Sequence, residues 1–149
     1  MTRIAIIAGS TREGSFNRAL GAAAARALEA QGAQVTAVDL AEYDLPLYSA
    51  ALEANAFPPD ARRLKQLLAA QDGLLVVTPE YNGSIPPLLK NAIDWASRPT
   101  DGEAMLALSA YRGKAAAVMS ASLSPFGGMR AVTHLRQILS TVQMLVIPE

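Results

Sequence analysis

Cysteine is absent from the 149 residues, which removes disulfides, thiolate nucleophiles, Cys-ligated zinc and iron–sulfur clusters from consideration. Histidine occurs once, at His134, so a His-rich metal site has no ligands. A Gly-x-Ser-x-Gly elbow for serine chemistry is missing as well. Thirteen Lys and Arg balance thirteen Asp and Glu; without a field of one sign, neither nucleic acid nor an anionic membrane surface is an expected partner. The longest apolar runs, residues 74–78 and 114–121, are strand length and well short of a membrane span. No basic stretch followed by a small-residue cleavage site opens the chain. These absences leave one cytoplasmic domain over residues 1–149, with 51% hydrophobic residues to fill its core.

What is present alternates. Residues 3–9 read as an apolar strand, and residues 17–31 as a helix through Leu20, Ala24, Ala27 and Leu28 that stops at Gly32. Residues 34–40 form a second strand and residues 41–58 a long polar loop. Pro59 opens a helix through Leu64, Leu67 and Leu68, which Gly73 ends before a third strand at residues 74–78. A turn over residues 79–85 leads to Pro86-Pro87 and a helix through Leu88, Leu89, Ala92, Ile93, Trp95 and Ala96. Residues 114–121 make a fourth strand, and Val132, Leu135, Leu139 and Val142 mark the stripe of a last helix before a strand at residues 144–148. Short apolar strands alternating with helices predict a parallel α/β sheet covered on both faces.

In such sheets ligands bind beyond the carboxyl ends of the strands. The loop after the first strand, residues 9–17, gathers Gly9, Ser10, Thr11, Arg12, Gly14, Ser15, Phe16 and Asn17 ahead of a helix N-terminus. Free N–H groups, hydroxyls, an amide and an arginine there suit a phosphate; a plain helix cap at Ser15 or Asn17 accounts for the same residues equally well. A P-loop lysine and a Gly-x-Gly-x-x-Gly fingerprint are both missing, which disfavours nucleotide triphosphatases and classical dinucleotide folds. The loop at residues 78–86 places Pro79, Glu80, Tyr81, Asn82 and Gly83 at the third strand's end. It offers a flat aromatic and a glycine suited to positive φ, and is alternatively a tight turn. The loop at residues 120–128, with Ser120, Ser122 and Ser124, allows close approach to backbone and is alternatively a Gly-rich helix start. His134 reads as a surface residue, Asp39 as a loop cap, and Trp95 either as core or as part of a subunit interface.

With these residues in place, the chain resembles the NADPH-dependent FMN reductase family of flavodoxin-like flavoproteins. Gly9, Ser10, Arg12, Ser15 and Asn17 match its Gly-Ser-x-Arg-x-x-Ser-x-Asn motif. The resemblance continues through Asp72-Gly73, through Pro79-Glu80-Tyr81-Asn82-Gly83-Ser84-Ile85-Pro86, through Leu89-Lys90-Asn91-Ala92-Ile93-Asp94-Trp95 and at Phe126-Gly127-Gly128. It implies a flavodoxin-like three-layer sandwich with a five-stranded parallel sheet in the order 2-1-3-4-5. It implies bound FMN, with the phosphate on Ser10, Arg12, Ser15 and Asn17 and with Thr11 and Phe16 among the cofactor-binding residues. The ring and ribityl chain would then border Pro79, Glu80, Tyr81, Asn82 and Gly83, with Ser120 and Ser122 beside them. It further implies NADPH or NADH as donor, ping-pong transfer to a quinone, azo compound, free flavin or metal oxyanion, and a homodimer or homotetramer. Backbone amides near Tyr81 and Asn82 would stabilise charge on the reduced ring. No catalytic acid or base is assigned; Glu80, the one candidate, reads as structural or as a contact to NADPH.

Two departures stand out. Pro87 replaces a common family glycine, and the sequence ends at Glu149, where family members usually continue into a final helix; an exposed apolar sheet face near the first and fifth strands is the expected result. The rival readings are a flavodoxin-type electron carrier, disfavoured by the balanced charge, and a redox-sensing flavoprotein.

Overall fold

The computed structural model describes residues 1–148. Five strands, β1 (Arg3–Ala8), β2 (Gln34–Asp39), β3 (Gly73–Val77), β4 (Ala115–Met119) and β5 (Leu145–Val146), form one parallel sheet in the order β2-β1-β3-β4-β5. The helices are α1 (Phe16–Ala30), α2 (Ala50–Asn55), α3 (Pro59–Ala69), α4 (Pro87–Ser97) and α5 (Met129–Thr141). This is the expected flavodoxin-like architecture. Among the described residues no helix is long and apolar enough to cross a membrane.

The pleat sorts alternate strand residues to opposite faces. Ala5, Ile7, Leu74, Val76 and Ala116 join Leu64 and Leu68 of α3, Leu89, Ala92, Ile93 and Ala96 of α4, and Leu135 and Leu139 of α5 in the main core. On the other face, among the described residues, the buried cluster is Ile6, Leu75 and Val77, against partly buried Leu20, Ala24 and Leu28 of α1. Beside α1 an apolar trough of about 450 Å³ runs along Ile4, Leu28, Leu75, Ala117 and Met119, on the face where apolar exposure was expected.

Local chemistry sets the helix boundaries. Ser15 caps α1, its hydroxyl accepting from the Arg18 N–H. Pro59 and Pro87 each occupy the first turn of their helix, where a missing N–H costs nothing; Pro87 thus serves as a helix start. Several expectations need correction. Gly73 does not end α3 but opens β3, because α3 stops at Ala69 and residues 70–72 turn the chain. The buried stripe of α5 is Ala131, Leu135 and Leu139, with Val132 and Val142 half-buried. Asp39 does cap a 3₁₀ turn at Leu40–Glu42, accepting from the Ala41 N–H at 3.0 Å.

The segment read as one long loop, residues 41–58, contains α2 and is strapped to α4. Asn91 accepts from the Tyr48 N–H at 2.9 Å and donates to the Pro46 carbonyl at 3.0 Å. The Trp95 indole N–H donates to that carbonyl at 2.7 Å. The Tyr48 and Phe57 rings meet the indole edge-on at 5.0 and 5.3 Å. Trp95 is fully buried within the single chain, so of its two readings the core holds and the subunit interface does not.

Candidate functional site

Strands β1, β3 and β4 end side by side. The Gly9 N–H donates to the Val77 carbonyl at 2.8 Å and the Thr78 N–H to that of Met119 at 2.9 Å, so the loops that follow leave the sheet at one level. Gly9 is small because a Cβ there would lie 3.0 Å from Leu89 of α4. The three loops surround a pocket of about 250 Å³, lined by Ser10, Arg12, Ser15, Phe16 and Asn17 from the first, Pro79 and Tyr81 from the second, and Ala121, Ser122, Leu123 and Ser124 from the third. Two larger hollows lie beside α1, one reaching the ends of β1 and β2 at Ala8 and Asp39 and the other along the strand faces; the chemistry of the three loops, more than hollow size, marks the smaller one as the site.

Eight of the thirteen residues singled out from the sequence line this pocket; Thr11, Glu80, Asn82, Gly83 and Ser120 do not. Ala121 and Leu123 also line it, as does Ser124, which the sequence places in the third loop without a cofactor contact. The only signal for Ala121 and Leu123 was membership of the small-residue loop whose serines were noted.

The first loop is a donor cradle. Among the described residues, the backbone N–H groups of Ser10, Thr11, Arg12, Glu13 and Gly14 reach no acceptor, and they precede the N-terminus of the fifteen-residue α1. Consecutive unpaired donors at the positive end of a helix fit a phosphate. The Ser15 hydroxyl accepts from Arg18 but keeps its own proton to donate. Asn17 is more committed than expected: its amide donates to the Ala121 carbonyl and its carbonyl accepts the Ala121 N–H, both at 2.9 Å. It clamps the first loop to the third and has one N–H left for a ligand.

The second loop is built as a miniature hairpin. Tyr81 and Ser84 exchange backbone hydrogen bonds of 2.8 and 3.0 Å around Asn82 and Gly83, at φ of 50° and 79°. Asn-Gly with both residues at positive φ is the type I′ solution for a two-residue turn. The tight turn read from the sequence is therefore real, and it presents Tyr81, half-exposed, to the pocket. Because the Tyr81 N–H is spent on the Ser84 carbonyl, it is not free to stabilise charge on a ligand; among the described residues the Asn82 N–H reaches no acceptor.

Glu80 turns away from the pocket. One carboxylate oxygen accepts the N–H groups of Arg130 and Ala131 at 3.1 and 3.3 Å, and the other takes the Arg130 guanidinium at 3.1 Å. The helix it serves has Gly128 at its N-cap and no side-chain cap of its own, so Glu80 supplies the cap from fifty residues away. This is the structural one of its two readings. His134, exposed as expected, has Nδ1 3.1 Å from the Ser84 hydroxyl, a second tie between the hairpin and α5. Ser120 lies beneath Gly128 and donates to the Thr78 carbonyl at 2.6 Å; a Cβ on Gly128 would fall 2.0 Å from the Ser120 oxygen.

A parallel sheet in this order, with a cradle of N–H donors and an aromatic hairpin at its carboxyl edge, defines a flavodoxin-like class of fold. The sequence profile of the NADPH-dependent FMN reductase family matches residues 2–149, and the chain belongs to that family. It is 40% identical over 146 residues to a 2-hydroxy-1,4-benzoquinone reductase from Burkholderia sp, an alignment covering 97% of this chain and 74% of that protein. It is 42% identical over 133 residues to an NAD(P)H-dependent FMN reductase from Pseudomonas aeruginosa, covering 89% of this chain and 66% of that one. Among solved structures, the flavoenzyme NAD(P)H:(acceptor) oxidoreductase FerB from Paracoccus denitrificans superposes with a TM-score of 0.83 at 33% identity, covering 99% of this chain and 76% of that chain. The chain is thus an oxidoreductase of the class that uses FMN and a nicotinamide nucleotide.

Proposed function

We propose that the three-loop pocket is the FMN site of an NAD(P)H-dependent quinone reductase. The observation that supports this most is the run of five backbone N–H groups, Ser10 to Gly14, that reach no acceptor among the described residues just ahead of α1; Ser10 and Arg12 of that run line the same pocket as Tyr81. In this reading Ser10, Arg12, Ser15, the remaining Asn17 N–H and the loop amides hold the phosphate. Phe16, Pro79, Tyr81 and Ser122 border the ribityl chain and ring. Thr11, Asn82, Gly83 and Ser120 shape these loops from behind, and Glu80 anchors them to α5. When bound, FMN supplies the two-electron redox chemistry that no side chain of this chain performs.

The protein's own part is to orient and to exclude. In this reading donor and acceptor occupy the pocket in turn beside the Tyr81 ring and the third loop, and the kinetics are ping-pong. Quinones lead the acceptors because several relatives are named quinone reductases or oxidoreductases; azo compounds, free flavin and metal oxyanions are the other candidates. Phe16, Tyr81, Leu123, Phe126 and Met129, each at least half-exposed around the loops, are covered in a homodimer or homotetramer. A cytoplasmic location goes with a nicotinamide donor.

The test is an anaerobic titration of the FMN-loaded protein with NADPH, and separately with NADH, followed by addition of a quinone. Bleaching of the visible flavin band by the nucleotide, then its return on adding quinone, is the expected result; the more effective nucleotide identifies the donor. A flavin that binds yet stays oxidised overturns the reductase reading in favour of a carrier or sensor. Arg12→Ala should weaken FMN binding about tenfold, the loss of one charge-assisted contact; unchanged affinity removes Arg12 from the phosphate site.

A further inference from the structure

Asn17 clamps the end of the first loop to Ala121, but the stretch ahead of it is held by little. Its Ser15 N–H donates to the Arg12 carbonyl at a long 3.3 Å, and Gly9 ties its start to β3. Yet the function proposed above needs the amides of this loop to converge on one anion. The side chain that reaches it from outside is Arg18, one turn into α1. Its guanidinium lies 2.8 Å from the Asp39 carboxylate at the end of β2. Another guanidinium nitrogen faces the Thr11 carbonyl at 3.5 Å. Asp39 is itself fixed, because its second oxygen caps the 3₁₀ turn through the Ala41 N–H.

The span from strand end to loop carbonyl has a geometric consequence. A trans peptide is planar, with its C=O and N–H opposed, and there is no cis bond among the described residues. With the Thr11 carbonyl turned to Arg18, the Arg12 N–H in the same peptide plane points to the other side, and Arg12 is a residue that lines the pocket. We infer that Arg18 and Asp39 form a latch that positions the phosphate loop: they are positioning residues for the cofactor and do not touch it. The inference rests on the reading of the pocket as the FMN site.

A rival role for Arg18, as one more positive charge near the anion, makes the opposite prediction for its partner. Asp39→Asn keeps a side-chain oxygen to cap Ala41 while removing the charge that holds Arg18. A latch then loosens and FMN binds less well. A free cation would instead be unmasked, and FMN would bind better.

The experiment measures binding of FMN and of riboflavin, which lacks the phosphate, to flavin-free protein by flavin fluorescence. Wild type, Arg18→Gln, Arg18→Lys, Asp39→Asn and the Arg18→Gln/Asp39→Asn double variant are compared. For an exposed ion pair the expected loss is about fivefold in FMN affinity for each single variant. The double variant should be no weaker than the singles, and riboflavin affinity should be unchanged throughout. Tighter or unaltered FMN binding in Asp39→Asn overturns the latch, as does full retention by Arg18→Lys, which keeps charge without the fork. An equal loss for riboflavin also overturns it, since the disturbance would then not be specific to the phosphate loop. Wild-type protein that binds both flavins equally defeats the phosphate reading itself, and that outcome is visible before any variant is made.

Discussion

Lys65 stands in α3 with its ammonium group inside the protein, 2% exposed, and is neutralised there by Glu103 and by the Arg98 carbonyl at 2.6 Å. Burial pushes the Glu103 carboxyl upward, but hydrogen bonds from Lys65, Ser109 and the Thr100 N–H outweigh it and hold the group at about 2. A depressed carboxyl contributes stability that is complete above its ordinary value near 4.5 and is lost as pH falls through the folded value. Glu103→Gln should therefore cost about 2 kcal/mol at pH 7, less than a fully enclosed pair because the glutamate is partly open to water. The difference between variant and wild type should narrow below pH 4.5 and close near pH 2, which urea unfolding across that range measures. A gap that persisted at low pH would mean that the substituted amide is simply a poor fit. The pair also shows what a sequence hides: thirty-eight residues separate its members, and an alternation of apolar residues places Lys65 on a helix without revealing that its charge is buried.

Among the elements, the Tyr81–Ser84 hairpin offers a controlled comparison. Gly83 and Gly102 have nearly the same backbone, φ of +79° and +81°, and a Cβ finds open space at Gly102 while at Gly83 its nearest neighbour is the flexible Arg130 side chain at 3.4 Å. Alanine at either position should cost about 1 kcal/mol of stability, the strain of a left-handed residue. Only Gly83→Ala should weaken FMN binding, because only that turn aims a side chain into the pocket; equal affinities in the two variants would separate hairpin geometry from flavin binding. This turn was legible, since Asn-Gly between two residues that can pair has few other solutions. The short α2 was not legible. It buries no side chain, so no apolar period announces it, and it forms because Ser49 caps it and because Asn91 and Trp95 fasten the strap around it. The same division runs through the site. Hydroxyls and glycines ahead of a helix could be read as a cradle from composition, whereas the Asn17–Ala121 clamp and the Glu80 cap on α5 join residues 104 and 50 or more positions apart and depend on the finished sheet.

Seen as a whole, the molecule has two unequal layers. The face bearing α3, α4 and α5 has the large core, and the face bearing α1 has three fully buried strand side chains. The helix that follows the donor cradle, α1, thus has fewer buried side chains than α3, α4 or α5, and the trough beside it leaves its flank open. The consequence is kinetic. Regions with few buried apolar contacts open locally at a free energy below that of global unfolding, so the amides of α1 should exchange with deuterium well before those of α4. On the proposed placement FMN binds where α1 begins, and by mass action saturating cofactor should slow exchange in α1 while leaving α4 at its global limit. Exchange followed by mass spectrometry, with and without FMN, reads this directly, and equal protection of the two helices in flavin-free protein would refute it. On the proposed placement the site and the scaffold share one helix, so occupancy of the pocket should be legible in the exchange of α1 itself.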